Sequence, residues 1–482
     1  MPPLGAAESN WSSRDTLAVT VLLTAAFGSR FFGLGTWDLV QDEYFTVIFG
    51  GERLFSFSNP LYYWLSELSR KLIDSTEFAV RLPTAIAGTL VPAVIYATWR
   101  QFIGRYGAIC AAVLILLAEW HIRQSQYARF YEASFLFASL AYYLYLRGVL
   151  LGDWRRLALS FIAAGLAASF HMMSALVVVG CAVMSLLVVS NRVAGLGENS
   201  RRLAWGYLLV CVVGGLAVSP VLFDGIMARQ AVRASWGTGP LRILLDFVEN
   251  AEVVILCASL AGWLFLRRRD RFLSTFFFVG IGTSMLPFLL GASFMALRTD
   301  YVFHAMPLVY VLAGVCVSET RRALEPAGLS SHFLFALLAA SLLPKSVSYY
   351  SARMTLDVRD AVAFLESRYS SGDHVIIRDT GLRYYLRESL PLEDVDFPSD
   401  REALRARLGT YTCRQANTWI AMRAHRRPYD AAFEAWLLEN TQLVWRRFAR
   451  RFDYHVEGYE VYLVNRAENC LAQARRSLVL EP

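Results

Sequence analysis

Charge is scarce in this chain of 482 residues. Asp, Glu, Lys and Arg together make up 18% of it, against about 25% in average soluble domains. Cysteines at metal-ligand or dithiol spacing are missing. None of the seven cysteines forms a C-x-x-C pair, which argues against a zinc module or a redox motif. No internal repeat of the transporter kind is found. The N-terminal stretch MPPLGAAESNWSSRD has a weak charged region and no evident cleavage site, so the first apolar block reads as a retained helix rather than a signal peptide.

Apolar residues are abundant: 56% of the chain is hydrophobic, 14% aromatic, and the mean hydropathy is +0.38. They gather in blocks of roughly 17–22 residues, the length that carries a helix across about 30 Å of hydrocarbon. Helices are expected at about 15–34, 80–99, 106–120, 132–147, 157–171, 174–190, 204–223, 247–266, 272–291, 300–318 and 331–350. Without a break at 171–174, residues 157–190 would form one span too long for a bilayer unless severely tilted. The fold class is therefore a polytopic α-helical membrane protein with about 11 transmembrane helices.

The net charge of +7 raises the question of nucleic acid. The basic residues answer it, because they cluster in short loops between apolar blocks. One set of alternate loops carries fourteen Lys and Arg, the other at most nine. The richer set belongs in the cytoplasm. The N-terminus is then inside and the C-terminus outside.

Residues 35–79 form a long outer loop, broken by Gly50–Gly51 and Pro60, with short amphipathic helices expected at the membrane surface. From about residue 352 the composition changes. Helices are expected at 357–365 and 429–439, and strands at 374–378, 418–422, 444–448 and 460–464. Residues 1–351 thus read as a transmembrane domain, and 352–482 as a small extracytoplasmic soluble domain of α/β or α+β type. Cys413 and Cys470 are its only cysteines. In an oxidising compartment they form either a bridge or two unpaired thiols.

Asp42 and Glu43, in VQDEYFTV, follow the first helix on the outer face. Such a pair can bind a cation or act as a general base, or it can be a solvated loop pair. Arg30, Arg81, Arg129 and Arg298 also fall on the outer side, where the charge bias predicts few arginines. They either snorkel to headgroups or form an anion site, since guanidinium holds phosphate through a bidentate fork. His171 in SFHMMS is either a satisfied interfacial residue or a ligand, and the same alternatives hold for His304. Lys345 near the end of the last helix either snorkels or joins the anion site.

Arg30, followed about a dozen residues later by QDEYF, resembles the start of polyprenyl-phosphate-sugar-dependent glycosyltransferases of the GT-C superfamily, in the protein mannosyltransferase and aminoarabinose transferase-like branch. The stretch from RLPTAIAG to YLYLRG is similar to that family throughout. Its marks are RLP with Arg81, the GR before the third helix, and SQxARxY with Arg129 and Tyr131. SFHMM resembles the family's aromatic-Thr-His turn, and Arg298 to Pro307 its late Arg…Pro segment. Two departures stand out: Ser58-Asn59-Pro60-Leu61 replaces His-Pro-Pro-Leu, and Tyr127 stands where Glu is usual.

The resemblance implies a membrane enzyme that moves a hexose or pentose from a polyprenyl-phosphate donor to an extracytoplasmic lipid, glycan or protein, by direct displacement with inversion. It implies Asp42 as the general base with Glu43 supporting it. Arg30, Arg81, Arg129, Tyr131, His171, Arg298 and Lys345 are the residues expected around donor phosphate and substrate. A divalent metal at Asp42 and Glu43 is not favoured, because no further ligand cluster accompanies the pair, and no cofactor is expected. The expected location is the cell (inner or plasma) membrane. The competing reading is a transporter or flippase for lipid-linked glycans, which an outer acid pair, an outer domain and the lack of repeat symmetry fit less well.

Overall fold

The computed structural model of the chain describes residues 11–39, 41–49, 60–190, 192, 196–231, 239–324, 332–355, 358–377, 380–386, 389–390, 417–423, 437, 441–450 and 456–464. The chain divides into two compact units. The first comprises Met1–Gly35 and Thr46–Ser346, the second Thr36–Phe45 and Val347–Pro482.

The helices of the transmembrane part follow in order: α1 (Ser13–Phe31), α2 (Gln41–Phe49), α3 (Pro60–Leu72), α4 (Thr76–Leu117), α5 (Glu119–Ser125), α6 (Tyr131–Leu151), α7 (Trp154–Phe170), α8 (Leu176–Val189), α9 (Glu198–Ala231), α10 (Pro240–Ala251), α11 (Val253–Arg269), α12 (Arg271–Gly291), α13 (Met306–Leu324) and α14 (His332–Thr355). Short 3-10 turns, Met172–Ala175 and Thr299–Ala305, lead into α8 and α13. Helix is found at each of the eleven expected positions. Among the described residues, six stretches are long and apolar enough to cross a membrane by length and composition: Thr76–Leu117, Tyr131–Leu151, Met172–Val189, Arg271–Gly291, Thr299–Leu324 and His332–Ser351. One expectation changes form: the helix expected at 247–266 is divided between α10 and α11 at Glu252, which takes φ 66°. The second and third expected helices follow one another within α4 and part at Gly104, whose φ of 79° breaks the helical backbone, a conformation open to glycine and costly for other residues. The outer loop does hold short helices, α2 and α3.

Polar contacts sort the helix ends of the first unit into two sets. At one end, Asp15 pairs with Arg100 at 3.4 Å and Arg105 at 2.8 Å, Asn199 donates to Gly152 O, and Arg269 pairs with Glu319. At the other, Arg30 donates to Leu116 O, Arg123 to Asn250, and Lys345 pairs with Glu252. Each contact joins loops that alternate crossing puts on the same side.

Helix starts in the arginine-rich set carry polar caps. Ser12 and Asp15 form a capping box on α1, Asp153 accepts from the Arg155 and Arg156 N–H groups, and Asp270 accepts from the Leu273 N–H. These caps satisfy N–H groups that a helix cannot satisfy itself. In the middle of the unit α13 is almost wholly buried. A methyl group on Gly314 of α13 would run into Gly107 O of α4, the close backbone approach that small residues allow between membrane helices.

The second unit contains α15 (Val358–Arg368), β1 (His374–Ile377), α16 (Thr380–Leu386), β2 (Thr418–Arg423), β3 (Thr441–Arg450) and β4 (Val456–Val464). The sheet order is β1-β2-β4-β3; β1 runs parallel to β2 and the other pairs are antiparallel. Alternate residues fill its two faces. Val375, Ile377, Trp419, Ala421 and Val461 pack with Val358, Val362 and Leu365 of α15, while Ile376, Ile420, Met422 and Tyr462 form the other layer. Asp373, in the turn before β1, accepts from the Ser370 N–H, the Asn417 N–H and Trp419 Nε1–H. Burial alone would raise its pKa, but these hydrogen bonds outweigh burial and hold the carboxyl below the usual range. The expected strands and first helix are present, and α16 is an element the sequence did not announce. Cys413, Cys470 and nearly all of the helix expected at 429–439 lie outside the described residues.

Candidate active site

The second set of helix ends in the first unit, the one with Arg30 and Lys345, brings three polar segments together. The first is α5 and the turn that follows it. Thr84 Oγ1 of α4 donates to Tyr127 O at 3.1 Å, and Thr46 Oγ1 of α2 donates to Ala128 O at 3.1 Å. These hydroxyls fix the backbone just before Arg129. The half-buried Arg129 guanidinium lies 5.8 Å from the Phe130 ring centre.

The second segment is the break between α7 and α8, where His171 takes extended backbone angles. Its ring stacks on Phe130 at 4.8 Å and an interplanar angle of 17°. Tyr131 lies 5.3 Å away and Tyr301 5.0 Å away. The third is the 3-10 turn Thr299–Ala305, which Arg298 precedes. Tyr131 and His171, both expected in the site, are thus brought together, and Tyr301 completes an aromatic wall with them.

Asp300 joins the first and third segments. Its Oδ1 accepts from Trp120 Nε1–H at 2.9 Å and from Gln124 Nε2–H at 2.7 Å. These two donors anchor one oxygen of the Asp300 carboxylate. Deeper in, His121 Nδ1 lies 3.3 Å from Glu132 Oε1; both side chains are fully buried. The rings of Phe135, Phe303 and Tyr310 surround His121. Sequence reasoning missed Asp300, Trp120, Gln124, Tyr301 and the His121–Glu132 pair. A signal was available: Trp120, His121 and Gln124 form polar steps of a short helix directly beside SQYARFY.

The remaining expected residues lie in other settings. Arg30 is fully buried; its guanidinium donates to Leu116 O at 2.9 Å and Ile115 O at 3.2 Å. A cation on the last carbonyls of α4 stabilises that helix end. Lys345 Nζ donates to Glu249 O and lies 2.9 Å from Glu252 Oε1. Both cations take part in structural contacts in this arrangement. Arg81 is fully buried and donates to Leu34 O at 2.9 Å. Asp42 lies in the first turn of α2, and its side chain falls outside the described part. Glu43 is buried. Asp42 and Glu43 belong to the second unit.

A cavity of about 270 Å³ opens between α11, α12 and α13. Leu256, Leu260, Trp263, Phe278 and Ile281 line it, with Phe247 of α10. Phe247 also meets the Trp120 ring edge-on at 6.2 Å, which connects this apolar cavity to the residue that holds Asp300.

Residues 58–223 match the family described as dolichyl-phosphate-mannose-protein mannosyltransferase. No curated protein matches the chain significantly in sequence. Two crystal structures of ArnT from Cupriavidus metallidurans are similar in fold. The apo form gives a TM-score of 0.54 at 15% identity. The form bound to undecaprenyl phosphate gives 0.51 at 13% identity. Each comparison covers 94% of this chain and 98% of the other. Over residues 58–223 the chain is thus similar to the dolichyl-phosphate-mannose-protein mannosyltransferase family, and over nearly all of its length it shares the multi-helix membrane fold of ArnT.

Proposed function

We propose that the protein transfers a sugar from a polyprenyl-phosphate donor to an acceptor outside the cytoplasm, with inversion. The observation that carries the reading is the meeting of Arg129, Tyr131, His171, Tyr301 and Asp300 at one end of a GT-C fold. That cluster draws on the matched stretch 58–223, and a neighbour of the same fold holds undecaprenyl phosphate. The acceptor hydroxyl attacks the anomeric carbon while the bond from that carbon to the phosphate oxygen breaks. The hydroxyl proton passes to Asp42, and the lipid phosphate departs with the electron pair. Arg81, Arg129 and Arg298 stabilise the charge that builds on that phosphate. The cavity between α11 and α13 suits part of the polyprenyl chain, which needs only apolar walls. No metal or other cofactor enters the step. The protein works in the cell membrane with its C-terminal domain outside.

The test uses purified full-length protein in lipid with a panel of radiolabelled polyprenyl-phosphate hexoses and pentoses. Release of polyprenyl phosphate with label passing to an extracted acceptor fraction is expected for one donor. Movement of donor across the bilayer without bond cleavage would identify a transporter instead.

A further inference from the structure

Asp42 and Glu43 lie in the segment Thr36–Phe45. Thr36–Phe45 clusters with the C-terminal domain, more than 300 residues further along the chain. The contacts are specific and bracket Asp42 on both sides.

Before it, the buried Asp38 carboxylate accepts from the N–H of Val358, the first residue of α15. That N–H has no partner within its own helix, so Asp38 serves as a cap supplied from afar. Arg359 Nε lies 3.2 Å from the other Asp38 oxygen, and Arg359 Nη1 donates to Thr36 O at 3.4 Å. The same guanidinium lies 5.3 Å from the centre of the Tyr385 ring. The Tyr385 hydroxyl in turn accepts from the Leu39 N–H at 3.2 Å. Trp37 meets Tyr349 edge-on.

After it, Tyr44 is buried against Tyr384 and Tyr385, with ring centres 5.6 and 6.1 Å apart. Gly381 of α16 lies directly against the Tyr44 ring, and even a methyl group there would collide with it. Asp42 is thus held by an ion pair and a helix cap four residues upstream and by a closely fitted ring two residues downstream.

We propose that the C-terminal domain is a clamp that sets the position of the Asp42–Glu43 segment, with Asp38, Arg359 and Tyr44 as positioning residues for turnover. The proposal rests on the reading of Asp42 as general base. A buried ion pair is a weak stabiliser in itself, because desolvation cancels much of its attraction. Its value lies in selecting one geometry. A base must sit within hydrogen-bond reach of the proton it takes, and a displacement of about 1 Å can cost a hundredfold in rate. The Asp38–Arg359 pair, the Val358 cap and the Gly381–Tyr44 fit remove that freedom.

The experiment uses the full chain in lipid, as wild type, Arg359→Ala, Arg359→Lys and Gly381→Ala. It measures kcat and donor KM, and also deuterium uptake by peptides covering 36–45, β1 and β2. Arg359→Ala and Gly381→Ala are expected to lower kcat about tenfold or more, with donor KM within about twofold. Exchange should speed up at 36–45 and stay unchanged in β1 and β2. Arg359→Lys keeps the charge and should recover part of the loss. Unchanged exchange at 36–45 in both disruptive variants overturns the clamp. So does faster exchange there at wild-type kcat, or a general loss of protection in β1 and β2 without recovery by lysine. A wild-type chain that uses no polyprenyl-phosphate sugar would remove the proposed reaction instead, and the exchange result would still decide whether the domain holds the segment.

Discussion

At the scale of single residues, the structure separates arginines that look alike in sequence. Arg30 and Arg129 both lie at outer helix ends, yet only Arg129 stands beside the His171 and Tyr131 cluster. Arg30→Ala should lower stability by about 1–3 kcal/mol, because two buried helix carbonyls lose their donor, and should leave donor KM near wild type. Arg129→Ala should do the reverse, raising donor KM with little loss of melting temperature. Asp42→Asn keeps the shape and removes the basicity, so turnover should fall by roughly 10²–10⁴-fold with donor binding intact. Wild-type rates in that variant would remove Asp42 from the reaction. Asp300→Asn should reduce kcat/KM roughly ten- to hundredfold if Oδ2 meets a substrate hydroxyl, the worth of a charge-assisted hydrogen bond. The order of residues showed where arginines and carboxylates could act. It did not show which were already engaged, because Arg30 finds its partners 85 and 86 residues away and Trp120 its carboxylate 180 residues away.

At the scale of elements, the membrane helices were legible because a bilayer imposes one length and one polarity on each. The break at His171 was legible for the same reason, since the alternative helix was too long. The break at Gly104 falls between the second and third expected helices, whereas the one at Glu252 was hidden, because no glycine or proline marks it. The contact between α4 and α13 was hidden, since a glycine in an apolar run gives no sign of what it touches. Gly314→Leu should overfill that contact and cost about 1–3 kcal/mol, read as a lower melting temperature of the detergent-solubilised protein. Gly206→Leu, on α9 where an added side chain meets nothing, serves as the control and should stay close to wild type. In the C-terminal sheet the alternation of Val375, Ile377, Trp419 and Ala421 marked the strands, but short α16 lacked enough length for a periodic signal.

At the scale of the whole molecule, the proposed orientation has the C-terminus outside. A reporter active only outside the cytoplasm, fused at Pro482, should be active, and a cytoplasmic reporter silent. The sheet should also show acid sensitivity. The Asp373 carboxyl has a lowered pKa in the folded state, so its contribution is present above the ordinary carboxylate range and is lost as pH falls through the folded value. Asp373→Asn should therefore speed hydrogen exchange in β1 and β2 at neutral pH. The gap between variant and wild type should close as pH falls below about 4, where the unfolded carboxyl is itself protonated. A gap that widened in acid would refute the assignment.

The grouping of Thr36–Phe45 with the C-terminal domain also bears on how the protein is made. The Asp38 carboxylate leaves the ribosome 320 residues before the Val358 amide it caps. At about 5–20 residues per second, that is a wait of roughly 15–60 s. Throughout that interval the helices can insert while the segment bearing the general base lacks its partner. A chain that stops at Ser346 would reach the membrane with its lipid-facing helices in place and stay inactive. If the clamp and the proposed reaction hold, chemistry begins only once the C-terminal domain has been made, and a half-made chain leaves the donor untouched.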